Sequence, residues 1–212
     1  MVQQARAQAT RDAIILGAAK VFERNGYGLA SISDIAAASS VTKGALYFHF
    51  QSKDELAHAV IRRQHELSFS AGATVLERGR PALESMLLLC ASLGLQLVTD
   101  PVVQAGIRLT TEVSNFERPV ADPYQDWLNT FEDLARRAID EGDIALTVDP
   151  AMLAHFIIPA YTGVQLVSAT LADRVDLLQR IREMWVVLLP GIVPAERYER
   201  LKSLSDLIPK TA

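Results

Sequence analysis

A single cysteine, Cys90, among 212 residues excludes a disulfide framework and a multi-cysteine zinc site. It falls in the apolar run from Met86 to Val98, so a buried, unreactive thiol is expected. Aromatic residues make up only 7%, and glycine and proline number 11 and 9. These counts exclude collagen-like and low-complexity chains, and an apolar half excludes a disordered one. No alternating run bounded by Asn-Gly or Asp-Gly is present, so strand signals are nearly absent. Gly-x-Ser-x-Gly, a Walker loop, Gly-x-Gly-x-x-Gly and His-Glu-x-x-His are also missing. His58 and His65 stand seven apart, too far for an i, i+4 metal pair, and Glu132-Asp133 reads as a solvated face. An enzyme is therefore disfavoured, and no cofactor or metal is called for.

The N-terminus, Met1-Val2-Gln3-Gln4-Ala5-Arg6, carries no apolar signal core, and a cytoplasmic protein is expected. Residues 151–171 run for 21 positions without Asp, Glu, Lys or Arg, and a spanning helix needs only about 20. Yet His155, Pro159, Tyr161, Thr162, Gln165, Ser168 and Thr170 interrupt it, and no basic flank sets an orientation. A soluble helix buried between layers or at a subunit interface is the better reading. No membrane partner is expected.

Charge is uneven along the chain. Residues 1–65 hold 8 basic against 5 acidic side chains, and residues 66–212 hold 13 against 20. A basic end on an acidic body suggests that only the first end meets a polyanion.

The punctuation is helical throughout. Ile14, Ile15, Ala18, Ala19 and Phe22 recur at helical spacing, with Gly26 placed as a C-terminal cap. Ser31 with Asp34 resembles a capping box over a helix to about Ala38. Ser52 with Glu55 opens a long helix to about Arg78. Asp100-Pro101, Asp122-Pro123 and Asp149-Pro150 each offer a capping acid and a proline pre-set for the first turn. The expected fold is all-α, with a small N-terminal module over residues 1–51 joined to a larger helical body over 52–212.

Residues 31–50 carry the chemistry. Two short helices, Ile32–Ala38 and Thr42–Phe48, fit around a small core of Ile35, Ala36, Val41 and Leu46. In such a helix-turn-helix the second helix enters the major groove. Gly44 and Ala45 let the backbone approach a duplex, and Thr42 can cap the helix or donate to a phosphate. Lys43 is the candidate for a base edge, since an ammonium reaches guanine O6 and N7. Tyr47, His49 and Lys53 are placed to hold phosphates, and Ser33 joins them from the preceding helix. The plainer alternatives are an ordinary exposed lysine at 43, a half-buried core tyrosine at 47 and a histidine packed between Phe48 and Phe50.

The pattern Ile35-Ala36-(x4)-Val41-Thr42-Lys43-Gly44-Ala45-Leu46-Tyr47-Phe48-His49-Phe50-(x2)-Lys53-(x2)-Leu56 resembles the DNA-binding domain of TetR-family repressors. Ala18-Ala19-(x2)-Phe22-(x3)-Gly26-Tyr27 fits the first helix of that family. Ser39-Ser40 departs from its usual Ala-Gly turn, and a positive φ at Ser40 would cost roughly 1 kcal/mol. The resemblance implies a homodimer joined through late helices, with Ile157, Tyr161, Val164, Met184 and Val187 near the interface. It also implies a palindromic operator read by two recognition helices about 34 Å apart.

In the body, Trp127, Phe131 and Leu134 recur at helical spacing, as either a core face or the lid of a pocket. Gln64 and Thr162 can line a cavity or bond within the protein. Thr42 to Phe50, Lys53-Asp54-Glu55-Leu56-Ala57-His58-Ala59, Asp100-Pro101-Val102, Ala105-Gly106-Ile107-Arg108-Leu109 and Glu183-Met184-Trp185 are similar to the γ-butyrolactone autoregulator receptors of antibiotic-producing actinobacteria. That resemblance implies a lactone or butenolide ligand packed against Trp127, with Gln64, Leu88, Thr130, Phe131 and Thr162 around it. It also implies control of secondary-metabolite genes. The acidic balance, pI 5.6, suits the true receptors of that group. A TetR-like repressor answering to a drug or fatty acyl ligand, and controlling efflux or metabolic genes, is the alternative.

Overall fold

The computed structural model describes residues 2–112 and 121–211, with side chains from residue 4. Among these the secondary structure is helical: α1 (Val2–Leu29), α2 (Ile32–Ala38), α3 (Lys43–His49), α4 (Lys53–Leu76), α5 (Ala82–Thr99), α6 (Pro101–Thr111), α7 (Asp122–Asp140), α8 (Pro150–Ala172), α9 (Leu177–Ile192) and α10 (Ala195–Leu201). A short 3-10 segment, Lys202–Leu207, follows. The all-α expectation holds.

The caps explain most of the boundaries. Ser31 Oγ accepts from Asp34 N at 3.1 Å and Thr42 Oγ1 accepts from Ala45 N at 3.1 Å, which starts α2 and α3. Asp100 and Asp149 cap α6 and α8 in the same way, the latter accepting from Met152 N at 2.7 Å. Asp122 does not. Ala121 is already helical at φ −89, ψ −30, so Asp122 stands inside the first turn and caps nothing. There its carboxylate faces the positive end of the helix dipole.

The chain forms two compact units, one of residues 1–69 with 99–120 and one of 70–98 with 121–212. In the first, Ile14, Phe22, Ile35, Leu46, Phe50, Leu56 and Ile61 form a core that Ala105 and Leu109 of α6 complete. Helix α6 packs on α1 within this unit. The end of α1 is tied there by side chains. Gly26 breaks the helix at φ 70, Tyr27 N donates to Glu112 Oε2 at 2.9 Å, and Arg108 donates to Glu23 O.

In the second unit Leu83, Met86, Leu87, Leu97, Ile157, Ile181 and Trp185 are fully buried or nearly so. Helices α5 and α8 both have the length and hydropathy of a membrane span. Helix α5 buries ten of its residues in the unit. Helix α8 buries Leu153, Ala154, Ile157 and Tyr161 on one face and leaves apolar side chains on the other.

Candidate nucleic-acid interface and ligand site

Helix α3 is anchored by Leu46, fully buried, and closed by Phe50, also fully buried. The turn before it is tight. Ser40 takes φ 55, as its place in the turn predicted, while Ser40 N and Val41 N donate to Ala37 O and Ala36 O. Ser39 is held by its hydroxyl, which donates to Ile35 O at 2.7 Å. The side chains left outside are those that the sequence placed on DNA: Thr42, Lys43, Gly44 and Tyr47 are exposed, and Ala45 and His49 are half-buried. Ser33 is exposed on α2. A Cβ at Gly44 would meet only Thr42 Oγ1, at 3.9 Å, so this face is open to a close approach.

Lys53 is held by the fold itself. Expected at a phosphate, its ammonium donates to Tyr27 O at 2.8 Å, Ala30 O at 3.1 Å and Gly28 O at 3.4 Å, and lies 4.4 Å from the centre of the Tyr27 ring. All three N–H groups are thereby engaged by the α1–α2 turn. The lysine thereby ties the α1–α2 turn to the start of α4. The sequence reading also passed over Phe48, whose ring is 82% exposed on α3. An apolar residue amid the family-like motif gave no local signal of that exposure.

The ligand-site residues divide between the units. In the first, Gln64 is buried at 1% exposure, donating from Nε2 to Ser68 Oγ at 3.1 Å. Its Oε1 is buried without a hydrogen-bond partner. Its aliphatic stem lies where a Cβ on Gly106 would intrude at 2.3 Å, so only glycine lets α6 come this close.

In the second unit Trp127 is half-buried on α7, with its ring 6.4 Å from that of Phe131, which is buried. A Cβ on Gly72 of α4 would stand 3.4 Å from the Trp127 ring and 3.2 Å from Leu89, so the indole lies over the end of α4 beside α5. Thr130 and Thr162 are half-buried, and each hydroxyl donates back to its own helix, to Asp126 O at 2.8 Å and Ile158 O at 2.9 Å. Each keeps oxygen lone pairs for a further donor. Leu88 is half-buried on α5.

Cys90 is buried as expected, and burial pushes its thiol up to about 12. Among the described residues no cluster of His, Cys, Asp and Glu is arranged to hold a metal.

One groove of the second unit is apolar and open. Phe156, Gly163, Val164, Val167 and Leu171 of α8 face Met184 and Val187 of α9 across it. Val187 is 80% and Leu171 81% exposed. Val164, Met184 and Val187 line this groove. Ile157 and Tyr161 do not: both are buried inside the unit, and Tyr161 Oη donates to Cys90 O at 3.2 Å.

Comparison with known proteins follows the same outline. The family model for bacterial regulatory proteins of the tetR family matches residues 14–60, and that for the tetracyclin repressor-like C-terminal domain matches residues 80–194. The A-factor receptor protein of Streptomyces griseus is 34% identical over 192 residues, covering 91% of this chain and 67% of the relative. A solved gamma-butyrolactone receptor, ArpA-like, superposes with a TM-score of 0.82 at 33% identity, over 96% of this chain and 98% of its own. CprB of Streptomyces coelicolor, solved in complex with its biological operator sequence, gives 0.80 at 33% identity over 95% and 97%.

Proposed function

The chain belongs to the TetR family of bacterial regulators, and on that premise we propose that it is a ligand-responsive transcriptional repressor, not an enzyme. It binds a palindromic operator as a homodimer in the cytoplasm and is released by a γ-butyrolactone or butenolide signal. The genes it controls are those of secondary metabolism, antibiotic biosynthesis among them.

The observation that carries the DNA half is the open face of α3, where Thr42, Lys43, Gly44 and Tyr47 stand exposed around the buried anchor Leu46. Lys43 reads a base edge, and Thr42, Tyr47, His49 and Ser33 hold the register on phosphates. Ala45 and Gly44 keep the helix close to the groove. The α8–α9 groove is the second copy's place, since burying Val167, Leu171 and Val187 removes an apolar face from water. Two copies then present α3 to successive turns about 34 Å apart.

The lactone half rests on likeness to a receptor over 91% of the chain and on Trp127, an indole left half-buried beside Phe131. A mostly apolar pocket with few polar anchors suits a lactone with an alkyl chain. Leu88, Thr130, Phe131 and Thr162 of the same unit complete the ligand contacts. The ligand acts only through its differential affinity for the two states of the dimer, and a coupling of about 1–3 kcal/mol gives roughly 5–150-fold release.

Tryptophan fluorescence tests the ligand class. A panel of synthetic γ-butyrolactones and butenolides is expected to change the emission saturably, and a matched panel of fatty acyl and drug-like ligands to leave it unchanged. The reverse pattern would move the protein to the drug- or acyl-responsive repressors.

A further inference from the structure

The ring of Phe48 has no role in the interface described above, yet it is 82% exposed on the helix that the repressor reading puts in the major groove. Two residues after the buried Leu46, it lies about 200° round the helix from that anchor and so faces outward. It shares this outward face with Gly44, one turn earlier. Gly44 adds no side chain to that face, and a Cβ there would meet only Thr42 Oγ1, at 3.9 Å. The ring is also steadied, edge-on to His49 at 5.2 Å and 88°.

A phenyl ring makes no conventional hydrogen bond, so it reads no donor or acceptor. The one apolar group that base pairs present in the major groove is the 5-methyl of thymine. We propose that Phe48 is a specificity-determining residue whose ring packs on a thymine methyl in each half-site of the operator. The neighbouring exposed side chains, Thr42, Lys43 and Tyr47, are polar or cationic, which matches a nucleic acid and not an apolar protein partner. The assignment rests on α3 being the recognition helix. It makes sequence readout two-part, with Lys43 for a guanine edge and Phe48 for a methyl.

Deoxyuridine substitution isolates the methyl. The operator is first located by footprinting on the DNA upstream of the protein's own gene. Duplexes are then made with each thymine in turn replaced by deoxyuridine, and binding is followed by fluorescence anisotropy. Wild type is expected to lose about fourfold, the worth of one buried methyl group, at one thymine per half-site. Phe48→Ala is expected to bind the unmodified operator more weakly and to be indifferent to that replacement. Phe48→Leu keeps an apolar contact and retains part of the sensitivity.

Because the side chain is exposed, each variant is expected to melt at the wild-type temperature, which separates loss of contact from loss of fold. Identical deoxyuridine profiles for wild type and Phe48→Ala would overturn the proposal. So would a wild-type profile with no sensitive thymine, even if Phe48→Ala binds more weakly, since that marks contact with sugar. If neither protein binds any upstream duplex in a salt-sensitive way, the repressor reading itself fails and the proposal falls with it.

Discussion

The ammonium of Lys53 donates to the carbonyl of Tyr27 at 2.8 Å while lying 4.4 Å from the centre of the same residue's ring. One cation thus satisfies the open carbonyls at the end of α1 and holds them to the start of α4. The small core beneath, Phe22 with Ile35 and Leu46, keeps α3 at its angle only while this turn is fixed.

Lys53→Gln is therefore expected to lower stability by about 1–2 kcal/mol, from lost charged hydrogen bonds and the cation–π contact. Urea denaturation measures this. DNA affinity falls as well, but the slope of log K against log salt stays at the wild-type value. A lysine on a phosphate would instead reduce that slope by about 0.9.

Lys43 is the opposite case, exposed and bound to nothing that holds the fold. Lys43→Ala is expected to leave the melting temperature unchanged and weaken specific binding by about 1–3 kcal/mol. Competition between operator and scrambled duplex is the measurement. A variant as selective as wild type would remove Lys43 from the base-reading face.

Trp127 and Trp185 separate by burial, the first half-buried and the second wholly inside the unit. Trp127→Ala is expected to keep operator affinity within about twofold while losing release by lactone, since the contact proposed for the indole is with ligand and not with DNA. The lactone-dependent emission change disappears with it. Loss of the melting transition would instead make Trp127 a core residue.

Val187 is 80% exposed, so a charge there leaves the subunit's interior undisturbed. Val187→Asp is expected to take the sedimenting mass from twice 23.2 kDa to one chain. Operator affinity drops with it, since a lone α3 reads one half-site.

Cys90 and Tyr161 give a pH dependence of known sign. Burial raises both groups, the thiol from 9.0 to about 12 and the phenol well above 10.0. The unfolded chain loses these protons first, so their contribution to stability is full below the unfolded values and falls as pH rises through 9 toward 12. Denaturation of Cys90→Ala is expected to show a shallower loss than wild type above pH 9, and the native thiol to resist alkylation below it.

Much of this was legible in the chain because it is local. The capping pairs Ser31–Asp34 and Thr42–Ala45 lie within one turn, and α2 runs over the residues predicted for it. The exposed Gly44 falls opposite the anchor Leu46 by helical period, while Thr42 and Lys43 stand at the open N-terminus of α3, where no preceding turn covers them. The intramolecular contacts of Lys53 were not legible, because its acceptors lie 23 to 26 positions away, where no spacing rule reaches. The split of α8 was hidden for another reason. A helix apolar on nearly every side carries no moment, so the sequence could not tell Ile157 and Tyr161, which face inward, from Phe156 and Val167, which do not. Likewise α6 reads as part of the body and packs with α1, a matter of long-range contact.

The central claim is that a lactone lifts this protein from its operator. Fluorescence anisotropy on the DNA upstream of its own gene, at two salt concentrations and with and without synthetic γ-butyrolactones, tests it most directly. The account predicts tight binding that weakens with salt and is reversed by a lactone. Tight binding that no lactone or butenolide disturbs would contradict it.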